Sequence, residues 1–175
     1  MGLLRRGHGE DDRRAGSRYQ MRQRLLSVGD DYWIEDGEGN RAFHVNGKAL
    51  RLRQTFVLED AQGNEVAKIQ ERKLSVRDKM AIERGGDSIA TVRKALVGIR
   101  DRFSIDLAGG GELRAKGNFV DHEYEIERDG TAVANVSKRW FRVRDTYGVE
   151  IQPGEDDALV LAIAVCIDAL SHARN

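Results

Sequence analysis

Apolar and polar residues alternate along most of the chain. Tyr32 and Ile34, Phe43 and Val45, Phe56 and Leu58, Phe103, Ile105 and Leu107, Tyr124 and Ile126, and Val149 and Ile151 all follow a period near two. That period describes strands with one face buried. Glycine marks the breaks between them, at Gly39, Gly63, Gly86, Gly110, Gly130 and Gly154. Most of these sit in turn chemistry such as Asp36-Gly37-Glu38-Gly39-Asn40, Gln62-Gly63-Asn64 and Asp129-Gly130, where a tight hairpin needs positive φ. The spacing predicts about twelve short antiparallel strands.

The second half echoes the first. A shift of 67 positions lays Gly63 on Gly130, Val66 on Val133, Ala67 on Ala134 and Ile69 on Val136. The match runs on through Arg72 on Arg139, Leu74 on Phe141 and Val76-Arg77-Asp78 on Val143-Arg144-Asp145. Two similar halves that build one closed sheet explain it most simply.

Only the C-terminus breaks the alternation. Pro153-Gly154 is followed by the acids Glu155, Asp156 and Asp157, which favour the positive end of a helix dipole. Residues 158–167 are then apolar on every side, and polarity returns at Asp168. Such a helix, expected over about 155–172, must be enclosed by core or by lipid. Ten apolar residues fall short of the roughly 20 that span a bilayer. Twelve tilted strands spaced about 4.8 Å apart leave a channel with a radius of roughly 12 Å, wide enough for a helix about 10–12 Å across. The pattern therefore predicts a mainly β fold: a closed antiparallel barrel of about twelve strands around a hydrophobic C-terminal helix.

Composition narrows the class. A chain of 175 residues fits one domain with a tail, and 40% hydrophobic content with a mean hydropathy of −0.56 describes a soluble globular protein. Lys and Arg (29) balance Asp and Glu (29), so bulk charge attracts neither nucleic acid nor an anionic membrane. The one cysteine, Cys166, excludes an internal disulfide and fits a reducing, cytoplasmic setting. Residues 1–20 hold five arginines, three acids and few apolar side chains, so they are expected to form a disordered tail, with the domain running from 21 to 175. No continuous apolar segment follows the first arginines, and Arg6 stands where a myristoylation start wants Ser or Thr.

A series of short blocks carries a family resemblance. They include Leu25-Leu26-Ser27-Val28-Gly29-Asp30-Asp31-Tyr32-Trp33, Val45-Asn46-Gly47-Lys48, Lys73-Leu74-Ser75-Val76-Arg77-Asp78, Lys116-Gly117-Asn118-Phe119, Val133-Ala134-Asn135-Val136-Ser137-Lys138-Arg139-Trp140 and Asp145-Thr146-Tyr147-Gly148-Val149. In this order, over about 21–172, the chain resembles the LURP-one-related family, relatives of the tubby C-terminal domain and the phospholipid scramblases. The resemblance implies a twelve-stranded barrel around a central helix. For function it implies little by itself: the family has no settled activity, its tubby-like relatives suggest binding of phospholipid or phosphoinositide head groups, and no ligand residue is carried over to this chain.

Candidate chemistry is sparse. Lys138, Arg139, Arg142 and Arg144 crowd around Trp140, and the repeat copy holds Arg72, Lys73, Arg77 and Lys79. Arginine forks suit phosphate oxygens, and a tryptophan suits a membrane interface. The competing reading is a solvated face in which Asp78 and Asp145 pair with these cations. Asp121-His122-Glu123 holds three potential metal ligands, but alternation sends neighbours to opposite faces, so no metal is expected. Cys166 lies in the apolar helix, where a thiol is inert. Asp30-Asp31 and Asp156-Asp157 read as turn and helix-cap residues. No P-loop, dinucleotide fingerprint or serine elbow is present. These features predict a non-enzymatic, cofactor-free, monomeric binding module with an anionic phospholipid or protein partner and no nucleic acid. A protein-interaction domain without a small ligand and a scramblase-like membrane protein are the alternatives.

Overall fold

The computed structural model describes residues 16–22, 31–50, 53–72, 79–97, 100–140 and 145–172. Twelve strands form one closed barrel: β1 (Ser17–Arg22), β2 (Tyr32–Asp36), β3 (Arg41–Leu50), β4 (Arg53–Asp60), β5 (Glu65–Glu71), β6 (Lys79–Arg84), β7 (Asp87–Val97), β8 (Arg100–Leu107), β9 (Glu112–Asn118), β10 (Glu123–Arg128), β11 (Thr131–Ser137) and β12 (Thr146–Ile151). Each pairs antiparallel with its sequence neighbour, and β1 closes the ring against β12. Closure leaves no unpaired sheet edge.

The repeat is written into the register. Lys68↔Glu83, Ile69↔Ile82 and Gln70↔Ala81 join β5 to β6. Moved by 67 positions they become Asn135↔Glu150, Val136↔Val149 and Ser137↔Gly148, the pairs that join β11 to β12. Gly63 and Gly130 open the two units with nearly equal φ, 85° and 82°.

Helix α1 (Asp157–His172) runs through the barrel and packs on β5, β6, β7 and β12. Leu161, Ile163, Val165, Cys166 and Ile167 are completely buried. Inward side chains from every strand share one buried core with it, among them Met21, Ile34, Leu58, Ile69, Ile82, Ile105 and Ile126. At about 1.5–3 kcal/mol for each large apolar side chain buried, this shared core is the main source of stability. Among the described residues no helix is long and apolar enough to cross a membrane.

The domain starts earlier than the sequence predicts. β1 begins at Ser17 and not near Met21, so the last four residues assigned to the tail form barrel wall. Tyr19 and Met21 point inward while Arg18 faces out, bonded to Glu150. Two inward residues in an arginine-rich stretch are too short a signal for alternation to register, and it is pairing with both β12 and β2 that orders them. Residues 1–15 lie outside the described residues.

Candidate functional site

The two ends of the barrel differ. At the entry end, where α1 begins, short hairpins turn on positive-φ glycines. The Asp36 carboxylate accepts bonds from the Glu38 and Asn40 N–H groups, and Asp60 does the same for Gln62 and Asn64. These bonds hold both carboxyls below their ordinary range. Three contacts fix the start of α1. Arg84 forks onto Asp156 at 2.7 and 3.2 Å, Arg128 forks onto Glu155 at 2.6 and 3.0 Å, and the Tyr19 hydroxyl donates to Asp157 at 2.7 Å. Asp156 is also the helix cap, accepting the Leu159 N–H at 3.0 Å.

At the far end the helix finishes inside a polar cluster. Asp168, 6% exposed, accepts the Tyr147 hydroxyl at 2.5 Å and lies 3.0 Å from Nε2 of His122. The His122 ring stacks on Tyr147 with centroids 4.4 Å apart. Burial, reinforced by the negative Asp168, raises the hydroxyl pKa values of Tyr32, Tyr124 and Tyr147. Burial also pushes the Cys166 thiol up, which leaves it without nucleophilic character. This cluster has the composition of a catalytic site but sits in a filled interior. Among the described residues no group of His, Cys, Asp and Glu is arranged to hold a metal ion.

The turn 118–123 faces both ways. His122, at φ 52°, reaches in to Asp168, and Phe119 packs between Phe103 and Tyr124 at 4.7 and 5.0 Å. Val120, 66% exposed, points out. Gly117 at φ 140° permits the close approach of β9 to β10 on which this turn rests. A Cβ there would stand 2.4 Å from the Glu123 carbonyl oxygen.

Outside the wall, this turn and residues 137–140 enclose an open groove of about 1020 Å³. Arg102, Lys116 and Arg139 supply its positive charge, Glu123 and Glu125 its negative charge, and Trp140 an exposed aromatic edge. Lys116 is drawn to Glu127 at 2.5 Å. Arg139 is largely in solvent and touches Glu123 at only 3.7 Å.

The expected basic cluster is thus partly assembled. Lys138, Arg139 and Trp140 lie together at the far end, with Arg18 stacked 5.6 Å from the Trp140 ring. Arg72 is tied to Glu83 at 2.8 Å. Lys73, Arg77, Arg142 and Arg144 lie outside the described residues, as does Asp78. Arg72 and Arg139 lie against Glu83 and Glu123, acids on neighbouring strands. Sequence reasoning missed Arg102 and Lys116, which sit on separate strands and converge only when β8 pairs with β9. It also missed Asp168 as a buried anchor. A lone carboxylate in an apolar helix is the available signal, because burial demands a partner.

A closed antiparallel barrel threaded by its own buried C-terminal helix defines the class of mainly β domain to which this structure belongs. A family model described as LURP-one-related matches residues 17–168, and the chain belongs to that family. The X-ray structure of a protein from Arabidopsis thaliana superposes with a TM-score of 0.69, at 19% identity, over 91% of this chain and 93% of that one. That likeness concerns the fold. No curated protein matches by sequence.

Proposed function

We propose that this domain is a non-enzymatic binding module that recognises an anionic phospholipid or phosphoinositide head group through the far-end groove, as a cytoplasmic protein held peripherally at a membrane. The observation that carries this reading is the convergence of Arg102, Lys116, Arg139 and the exposed Trp140 around one open groove, while the interior is filled by α1. Guanidinium groups offer paired donors to phosphate oxygens, and tryptophan settles at the head-group level of a bilayer. The balanced charge of the whole chain makes attraction local.

Sedimentation with phosphatidylserine-containing vesicles tests it. The wild-type protein is expected to co-sediment, and less so as salt rises. Replacing Arg102 and Arg139 together by alanine should weaken binding about thirtyfold, from about 1 kcal/mol per arginine, with an unchanged thermal midpoint. Wild-type protein that stays in the supernatant at low salt would overturn the reading.

A second reading, a protein-interaction domain without a small ligand, draws support from the paired charges across the outer wall: Arg18–Glu150, Arg72–Glu83 and Lys116–Glu127. Co-purification of a stoichiometric protein partner whose binding survives the double arginine substitution would favour it.

A further inference from the structure

Residues 137–139 converge on a single carboxylate. The Ser137 hydroxyl donates to Glu123 with both carboxylate oxygens at 2.9 Å, and the Lys138 N–H donates to Oε1 at 3.1 Å. Nε of Arg139 lies 3.7 Å from the same oxygen. The Arg139 N–H in turn donates to the Ser137 oxygen at 3.1 Å, which fixes that hydroxyl as the donor towards Glu123. A hydroxyl, a main-chain N–H and a guanidinium aimed at one point make a receptor for an oxyanion. Here the oxyanion belongs to the chain itself.

We propose that residues 137–139 form an oxyanion nest that Glu123 occupies as an internal stand-in, and that an external phosphate-type group displaces it. This rests on the reading of the groove as a head-group site and supplies its regulation. Three observations separate the nest from a simple tie between strand ends. Glu123, Ser137, Arg139 and Trp140 all line the open groove, so the nest is accessible to a ligand. The Arg139 side chain is 84% exposed and leans only loosely on Glu123, which leaves most of its donors available. Glu123 itself is 29% exposed, so its carboxylate can swing into water without a buried charge being created. A carboxylate tethered on the adjacent strand, across one hairpin, is present at high effective concentration. An incoming phosphate, with more charge and a third oxygen, must outcompete it, and this makes the site one that responds only to a strong or clustered anion.

Glu123→Gln tests the idea, because the amide keeps the shape and an acceptor oxygen but loses the charge. Compared with wild type, the variant is expected to bind phosphatidylserine-containing vesicles roughly tenfold more tightly. Adding Ser137→Ala to it should reverse the gain. Inorganic phosphate, used as a soluble probe, should raise the thermal midpoint of E123Q by a few degrees and leave wild type nearly unmoved. Glu123→Asp, which retracts the carboxylate while keeping its charge, is a second variant expected to shift in the same direction should E123Q fold poorly. If both proteins bind vesicles equally and phosphate stabilises neither, the nest is refuted while the head-group reading stands. If neither sediments but phosphate stabilises E123Q, the nest stands for free phosphate and the membrane reading falls. Loss of vesicle binding in E123Q, or silence in both assays, overturns the proposal.

Discussion

At the entry end of the barrel, charges are managed in the open. Arg84, Arg128 and Tyr19 reach the acids at the start of α1 from three different strands, and each ion pair keeps contact with solvent. At the far end the same helix finishes on a carboxylate sealed from water, held by the Tyr147 hydroxyl and flanked by His122. Exposed pairs contribute little each, because solvent already satisfies their members, whereas a buried group has no alternative partner. The entry end can therefore lose a contact at small cost. The far end cannot, and it is there that the groove is built, on the reverse side of the turn that carries His122. A site on a loop is only as well positioned as what holds that loop, and here it is held by the helix core.

Removing Asp168 should give the largest effect. Asp168→Ala deletes the acceptor of Tyr147 and the carboxylate 3.0 Å from His122 in one step, and is expected to cost about 3–5 kcal/mol. Asp168→Asn, which keeps an acceptor for Tyr147, should cost clearly less. Chemical denaturation of the two variants checks the ordering; equal losses would mean that packing, not the polar cluster, holds the helix end. Leu161→Ala, at mid-helix, falls in a similar range of about 2–5 kcal/mol from its cavity, and it provides the apolar yardstick for the comparison.

Much of the fold is legible in the sequence because each signal there is local. Alternation gives the strands, glycines the turns, and the ten-residue apolar run can only be enclosed. The repeat extends this reach, since the 67-position shift that lays Gly63 on Gly130 also carries the β5–β6 register onto that of β11–β12. β1 escapes because Tyr19 and Met21 become inward residues only once β2 and β12 flank them. The candidate site is less legible for the same reason. Lys138, Arg139 and Trp140 are adjacent in sequence and are recognised together, but Arg102 comes from β8, Lys116 from β9 and Glu123 from β10. Alternation separates His122 from Glu123 correctly, one inward and one outward. It gives no hint that the inward one meets Asp168 across the barrel.

Gly117 offers a sharper way to divide the two ends. Its φ of 140° and the 2.4 Å approach of an added Cβ to the Glu123 carbonyl make Gly117→Ala a strained substitution, about 1–3 kcal/mol. The strain falls on the β9–β10 pair directly beneath the groove, so vesicle binding should drop with stability. At the entry end, Gly63→Ala meets the same penalty for positive φ, but with nothing within 4 Å of the new atom. It should destabilise by about 1 kcal/mol and leave binding intact. Comparable loss of binding in both variants would dissolve the distinction.

The smallest expected effect belongs to the entry clamp and has a defined pH sign. Burial pushes the Asp156 carboxyl up, but the Arg84 hydrogen bond and the Leu159 N–H outweigh it, and its pKa is held below the ordinary value. A carboxyl with a depressed folded-state pKa contributes stability that is fully present above the unfolded value near 4 and is lost as pH falls through the folded value. Acidification should therefore weaken wild type through this group, while Asp156→Asn should lose that part of the acid slope. At neutral pH Asp156→Ala is expected to cost about 1 kcal/mol through the lost cap. Arg84→Ala should cost less, within the range of about 0.2–1 kcal/mol for an exposed pair. Thermal unfolding across the acid limb checks both. A steep loss for Arg84→Ala at neutral pH, comparable to that of Asp168→Ala, would mean that the entry end is as indispensable as the buried one and would remove the asymmetry on which the comparison rests.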